Sequence, residues 1–161
     1  MTKRMLLLGA VAVGCLAVAA GTLLRPGLAD GPEPFAGSWD VVDVQPAPWV
    51  ESGQEFPVNE EIAKGRITFM AKSVQAPGFL NCDNASFEMT DVPPEFLFQG
   101  GLTDPATQAA ALGYKGGEIH NLAMSCISST ADISMDFSMI ADGVIVFALD
   151  NSIFRMERAA E

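Results

Sequence analysis

Between Asp132 and Arg158 the chain reads DISMDFSMIADGVIVFALDNSIFRMER, and no other stretch limits the fold as strongly. Ile133, Met135, Phe137 and Met139 alternate with Ser134, Asp136 and Ser138. A period of two gives a strand one oily face and one wetted face. Asp142-Gly143 is a hairpin turn signal. Val144–Leu149 is apolar on both faces and belongs in a strand covered on both sides. Asp150-Asn151 turns the chain again, after which Ile153, Arg155 and Glu157 alternate against Phe154, Met156 and Arg158. Three strands joined by two tight turns make an antiparallel meander. Met and Phe fill its inner face, Ser and Asp meet water, and no residue is left over for chemistry.

The rest of the chain supplies further short strands. In GSWDVVDV (37–44), Trp39, Val41 and Asp43 share one face, and Val42 and Val44 the other; Pro46 and Pro48 end the strand because neither can donate to a ladder. RITFMA (66–71) is a second strand and 73–76 a third, before the Pro77-Gly78 turn. In the strand at 86–91, Phe87 and Met89 share a face, and Pro93-Pro94 breaks it. EFLFQGG (95–101) reads as a short strand or extended loop. TDPATQAAALG is the one clear helix: Asp104 caps it, Pro105 suits the first position and Gly113 the left-handed stop. EIHNLAMSCISS continues as strand. Residues 45–65 form a long irregular segment in which Trp49, Phe56 and Ile62 are expected to plug one end of the barrel. The expected class is mainly β: a small antiparallel barrel or strongly curved sheet with one short helix, since closing a sheet protects its edges.

The N-terminus carries Lys3 and Arg4, an uncharged apolar run from Met5 to Leu24, and Gly27-Leu28-Ala29 before Asp30. This reads as a secretory signal peptide over 1–29, followed by a linker at 30–36 and one domain at 37–161. The predicted location is periplasmic or secreted. Two membrane-bound alternatives stay open, an uncleaved anchor and lipidation of Cys15 in Ala12-Val13-Gly14-Cys15. All 20 acidic residues lie beyond Ala29, but only six of the nine basic ones do (Lys64, Arg66, Lys72, Lys115, Arg155 and Arg158). Residues 30–161 therefore carry −14 against −11 for the whole chain. Such a surface repels nucleic acid and anionic head groups; it can attract a basic partner, although strong acidity more often serves solubility alone. Cys82 and Cys126 are an even pair in an exported chain, which reads as a disulfide. Closing a loop over a sequence separation of 44, it is worth roughly 4 kcal/mol in the chain-entropy treatment. Two buried free thiols are the alternative.

No catalytic constellation is legible. His120 is the single histidine; a general base also needs a nucleophile and an orienting acid, and Ser125, Ser128 and Ser129 stand in no GxSxG elbow. Glu60-Glu61 with Asp83 is a carboxylate pairing that twenty acids produce by chance. DVPPEF reads as a strand terminator rather than a groove ligand. Met124, Met135, Met139 and Met156 sit at core spacing rather than forming a copper site. Asp83, Asp91, Asp104 and Asp142 occupy turns and strand ends without a DxDxDG loop. No metal or cofactor is expected, and the chain is expected not to be an enzyme.

GSWDVV (Gly37, Trp39), RITF (Ile67, Phe69), NCDNASF (Cys82, Phe87), LAMSC (Met124, Cys126) and the closing FRMER occur in an order that resembles the META domain family, small β-rich domains of bacterial envelope proteins. Asp83 stands where that family usually has Asn, Leu122 where it has Thr, and the two cysteines are further apart than usual. The resemblance implies a β-rich envelope domain engaged in stress or binding. A lipocalin-like or lysozyme-inhibitor-like barrel shares the G-x-W and meander features.

Two functions compete. One is an exported binding or stress-related module that engages a basic protein through Trp49 and the acidic loop of Glu51, Glu55, Glu60 and Glu61. The other is a barrel that carries a small apolar ligand among Trp39, Phe69, Met135 and Phe137.

Overall fold

The computed structural model describes residues 31–51, 53–127 and 132–160. The segment expected to be a signal peptide, Cys15, Ser128 and Ser129 lie outside the described residues. Eight strands form one antiparallel sheet: β1 (Gly37–Pro46), β2 (Arg66–Phe69), β3 (Val74–Gln75), β4 (Ala85–Val92), β5 (Ile119–Ile127), β6 (Asp132–Ala141), β7 (Val144–Leu149) and β8 (Ser152–Arg158). Their order is β3-β2-β1-β8-β7-β6-β5-β4. Each strand thus lies beside its neighbour in sequence, and β8 returns to β1. This is an up-and-down barrel whose last seam, between β3 and β4, is nearly closed. One bridge, Val74 to Cys82, spans that seam, together with a bond from Ala85 N–H to the Lys72 carbonyl of 2.8 Å.

The meander forms where the sequence places it. Asp150 and Asn151 both take positive φ (48° and 63°), the turn whose twist matches a two-residue hairpin. Ile145 and Phe147 point into the barrel, and Val146 points outward; all three are fully buried. A second layer explains this. Helix α2 (Pro105–Leu112) and the preceding 3-10 segment (Pro94–Gly100) lie on the outer face and, with Leu102 in the link between them, bury Leu97, Ala109 and Leu112 against Ile140, Val146 and Ile153. The helix has its expected caps: the Asp104 carboxylate accepts from Thr107 N–H, and Gly113 is left-handed at φ 108°.

The barrel interior is a chain of rings. Phe69 meets Phe137 at 5.0 Å, Phe137 meets Phe147 at 5.2 Å, and Phe147 stacks on Phe154 at 4.8 Å. Trp39 closes one end: its indole N–H donates to the Phe35 carbonyl at 2.7 Å, and the Arg158 guanidinium lies 4.2 Å over its ring. Cys82 and Cys126 are disulfide-bonded with Cα atoms 6.1 Å apart. The bond ties the residue that bridges the seam to β5.

The structure corrects four local expectations. A bulge between Val41 and Asp43 shifts the register of β1 against β8. It puts Val41 and Val44 together on the core side and leaves Asp43 in solvent, because keeping the carboxylate wet outweighs strict alternation. The 94–100 segment is neither strand nor extended loop but a pair of 3-10 turns joined through a kink. Phe35 and Ala36, read as linker, are buried core residues. Of the three plug residues only Ile62, in helix α1 (Glu60–Ala63), enters the barrel core; Phe56 is exposed and Trp49 lies on the outer layer.

Candidate functional site: an aromatic and acidic recess on the outer layer

Trp49 leaves the end of β1 on a turn that is tied to the β7–β8 hairpin. Ala47 N–H donates to the Asn151 carbonyl at 2.8 Å, and the Trp49 indole N–H donates to Asn151 Oδ1 at 3.3 Å. The ring meets Phe98 at 5.7 Å with a 60° tilt. It also passes so close to Gly101 that a Cβ there would stand 3.1 Å from two ring carbons. Beneath the two rings runs the polar face of β6, and a recess of about 250 Å³ opens between them, lined by Trp49, Phe98, Gln99, Asp136, Ser138 and Ala148 among others.

The floor of the recess is a connected polar array. Gln99 Nε2 donates to Asp136 Oδ2 at 3.2 Å, and Asn121 Nδ2 to Asp136 Oδ1 at 3.5 Å. The buried Ser138 hydroxyl donates to Asn121 Oδ1 at 2.8 Å. The backbone at its rim is strained. Phe98 (φ 51°, ψ 42°) and Gln99 (φ 57°, ψ 34°) are both left-handed, a conformation that costs non-glycine residues about 1–2 kcal/mol each. Consecutive strained residues persist only where the surroundings over-determine them, and such residues cluster at sites that bind or switch. Here the strain aims one ring at Trp49 and one amide at Asp136.

Two hydrophobic rings over a carboxylate suit a cation, which gains from ring faces and from the negative charge together. The volume is below the usual range for whole small-molecule sites and matches a single inserted side chain.

The residues singled out from sequence separate in space. Trp49 is half-buried in the recess. Glu51 and Glu55 are exposed on the turn that follows it. Glu60 and Glu61 lie in the first turn of α1, where Glu60 pairs with Lys64 and Glu61 approaches Gly78. Phe98, Gln99 and Asp136 were not singled out from sequence; the one signal was the Gln99-Gly100-Gly101 run, which marks unusual backbone. His120 Nδ1 lies 2.6 Å from Asp91 Oδ1 across β4 and β5, with both side chains exposed. Among the described residues no serine hydroxyl is hydrogen-bonded to His120. Met124, Met139 and Met156 are buried in the core. Trp39, Phe69 and Phe137, suggested to line a ligand chamber, are fully buried against core neighbours, while Met135 is half-buried and borders the recess. Among the described residues no helix is long and apolar enough to cross a membrane.

Comparison of the chain with family models, curated proteins and solved structures finds no match.

Proposed function

We propose that the chain is an exported, non-enzymatic binding module of the cell envelope that engages a basic protein by receiving one of its cationic side chains in the recess beside the Trp49–Phe98 pair, over Asp136. The observation that carries this reading is the recess itself: two rings and a carboxylate, held by two adjacent left-handed residues. The −14 balance of residues 30–161 supports it, because a strongly acidic surface steers a basic partner to the site. The META-like order of motifs and the disulfide are compatible with an envelope protein. The full burial of Trp39, Phe69 and Phe137, and the direct ring contact of Phe69 with Phe137, weigh against an apolar ligand held in their midst.

The test is titration of the protein with an oligo-arginine peptide, followed by Trp49 emission; a Trp49→Phe variant separates this signal from that of the buried Trp39. Saturable quenching at low salt that weakens about tenfold or more in Asp136→Asn supports the reading. Quenching that is indifferent to Asp136 points to diffuse surface charge and removes the site. In parallel, the exported protein should capture a basic envelope protein at low salt and release it at high salt.

A further inference from the structure

Among the described residues, strand β4 has no strand paired with it on the side away from β5. Ala85 sends its N–H away from β5, to the Lys72 carbonyl. Backbone groups alternate in direction along an antiparallel strand, so Phe87, Met89 and Asp91 present theirs to the same side, while Ser86, Glu88 and Thr90 face β5. Strand β3 is too short to follow: it covers Val74–Gln75, and on the side away from β2 its one bridge is to Cys82. Among the described residues, no backbone bond is made from Phe87, Met89 or Asp91 on that side.

A free edge recruits other strands, and proteins usually blunt one with lysine, proline or a bulge. This edge has none of these. It pairs with β5 in unbroken register from Ala85 to Val92, and the first proline is Pro93. Met89 is 48% exposed on it. The accompanying charge is acidic. Glu88 lies on the strand, and beyond its end an open cleft of about 500 Å³ is lined by Asp91, Glu95, Tyr114 and Glu118 among others. Asp91 is engaged by His120; Glu88, Glu95 and Glu118 have no ion-pair partner among the described residues.

We infer that β4 receives an extended basic segment by strand addition: main-chain bonds form to Phe87, Met89 and Asp91, an apolar side chain covers Met89, and a lysine or arginine lies toward Glu88 and the Glu95–Glu118 cleft. A second copy of this chain is the poorer occupant. It brings its own −14, and in the register centred on Glu88 it sets that carboxylate against itself. The inference rests on the proposed basic partner for the charge of the added strand, but uses a surface separate from the Trp49 recess.

The test uses a ten-residue peptide of alternating lysine and valine, and the same peptide with alternate amides N-methylated, which keeps the charge and blocks strand pairing. Amide exchange and Trp49 emission are read together on the full chain. The first peptide should slow exchange at Phe87, Met89 and Asp91, and the methylated one should bind about tenfold or more weakly. Met89→Pro should remove the protection, since it deletes an outward N–H while leaving the ladder to β5. Should that variant not fold, Glu88→Lys should weaken the peptide at low salt. If Trp49 responds while the β4 amides do not, the edge inference fails and the recess reading stands. If neither responds, both fail. Concentration-dependent dimerisation that protects the same amides overturns the choice of occupant.

Discussion

Gln99 shows how much a single residue can reveal. A left-handed backbone costs a glutamine about 1–2 kcal/mol that a glycine does not incur, and the bond it makes to Asp136 is exposed and worth less. Gln99→Gly is therefore expected to raise the thermal midpoint by a few degrees while weakening arginine-peptide binding; calorimetry and the Trp49 titration read the two effects separately. A lower midpoint would mean that the amide–carboxylate bond outweighs the strain. Arg158 has the opposite character. Its guanidinium covers Trp39 and donates to the Ala36 and Pro34 carbonyls, each at 2.9 Å. Arg158→Met retains the aliphatic cover but loses these bonds, so it should cost about 1–2 kcal/mol in denaturant unfolding and speed amide exchange at Phe35 and Ala36.

At the scale of elements, the seam between β3 and β4 is the weak joint of the barrel, and the disulfide sits at it. Cys82 bridges Val74 through its backbone and Cys126 through its sulfur. Replacing both cysteines with serine should cost about 4 kcal/mol from loop entropy alone, and hydrogen exchange should show β3 and the start of β4 opening before the β6–β8 meander. Uniform loss across the sheet would show that the seam is no weaker than the rest. The double covering of β7 leads to a contrast. Phe147 sits at the centre of the ring chain, so Phe147→Ala should cost about 3–5 kcal/mol. Val146→Ala, on the outer layer, should cost about 1–2 kcal/mol and expose α2 to proteolysis without unfolding the barrel.

For the molecule as a whole, acidity sets the response to pH and salt. Asp40 is held below the ordinary carboxylate range, first of all by its hydrogen bonds from Arg66; burial opposes this, and the Arg66 charge adds a smaller lowering effect. A carboxylate lowered in the folded state stabilises above its unfolded pKa of about 4, and that contribution is lost as pH falls through the folded value. Asp40→Asn should therefore lower the thermal midpoint slightly at neutral pH and leave it unchanged at strongly acid pH. The difference should be small and salt-sensitive, because the pair is exposed. Between those limits, falling pH also relieves repulsion among twenty acids, so a midpoint that rises on mild acidification before it falls is the expected profile of the intact chain.

Period-two alternation, turn residues and caps act over a few neighbouring positions. The meander, helix α2 with its Asp104 and Gly113 ends, the short third strand and the mainly β class were therefore legible in the sequence, as was the pairing of Cys82 with Cys126, which depends on count and compartment. The bulge at Val42, the burial of Phe35 and the left-handed Phe98 and Gln99 were not, since each is a local cost repaid by a distant contact. The same holds for the recess: Trp49, Phe98 and Asp136 are scattered along the chain and meet only when β1, the outer segment and β6 are assembled. Local patterning settled what the elements are; the closing of the sheet on itself decided which faces became interior, which edge was left free and which side chains came to share a site.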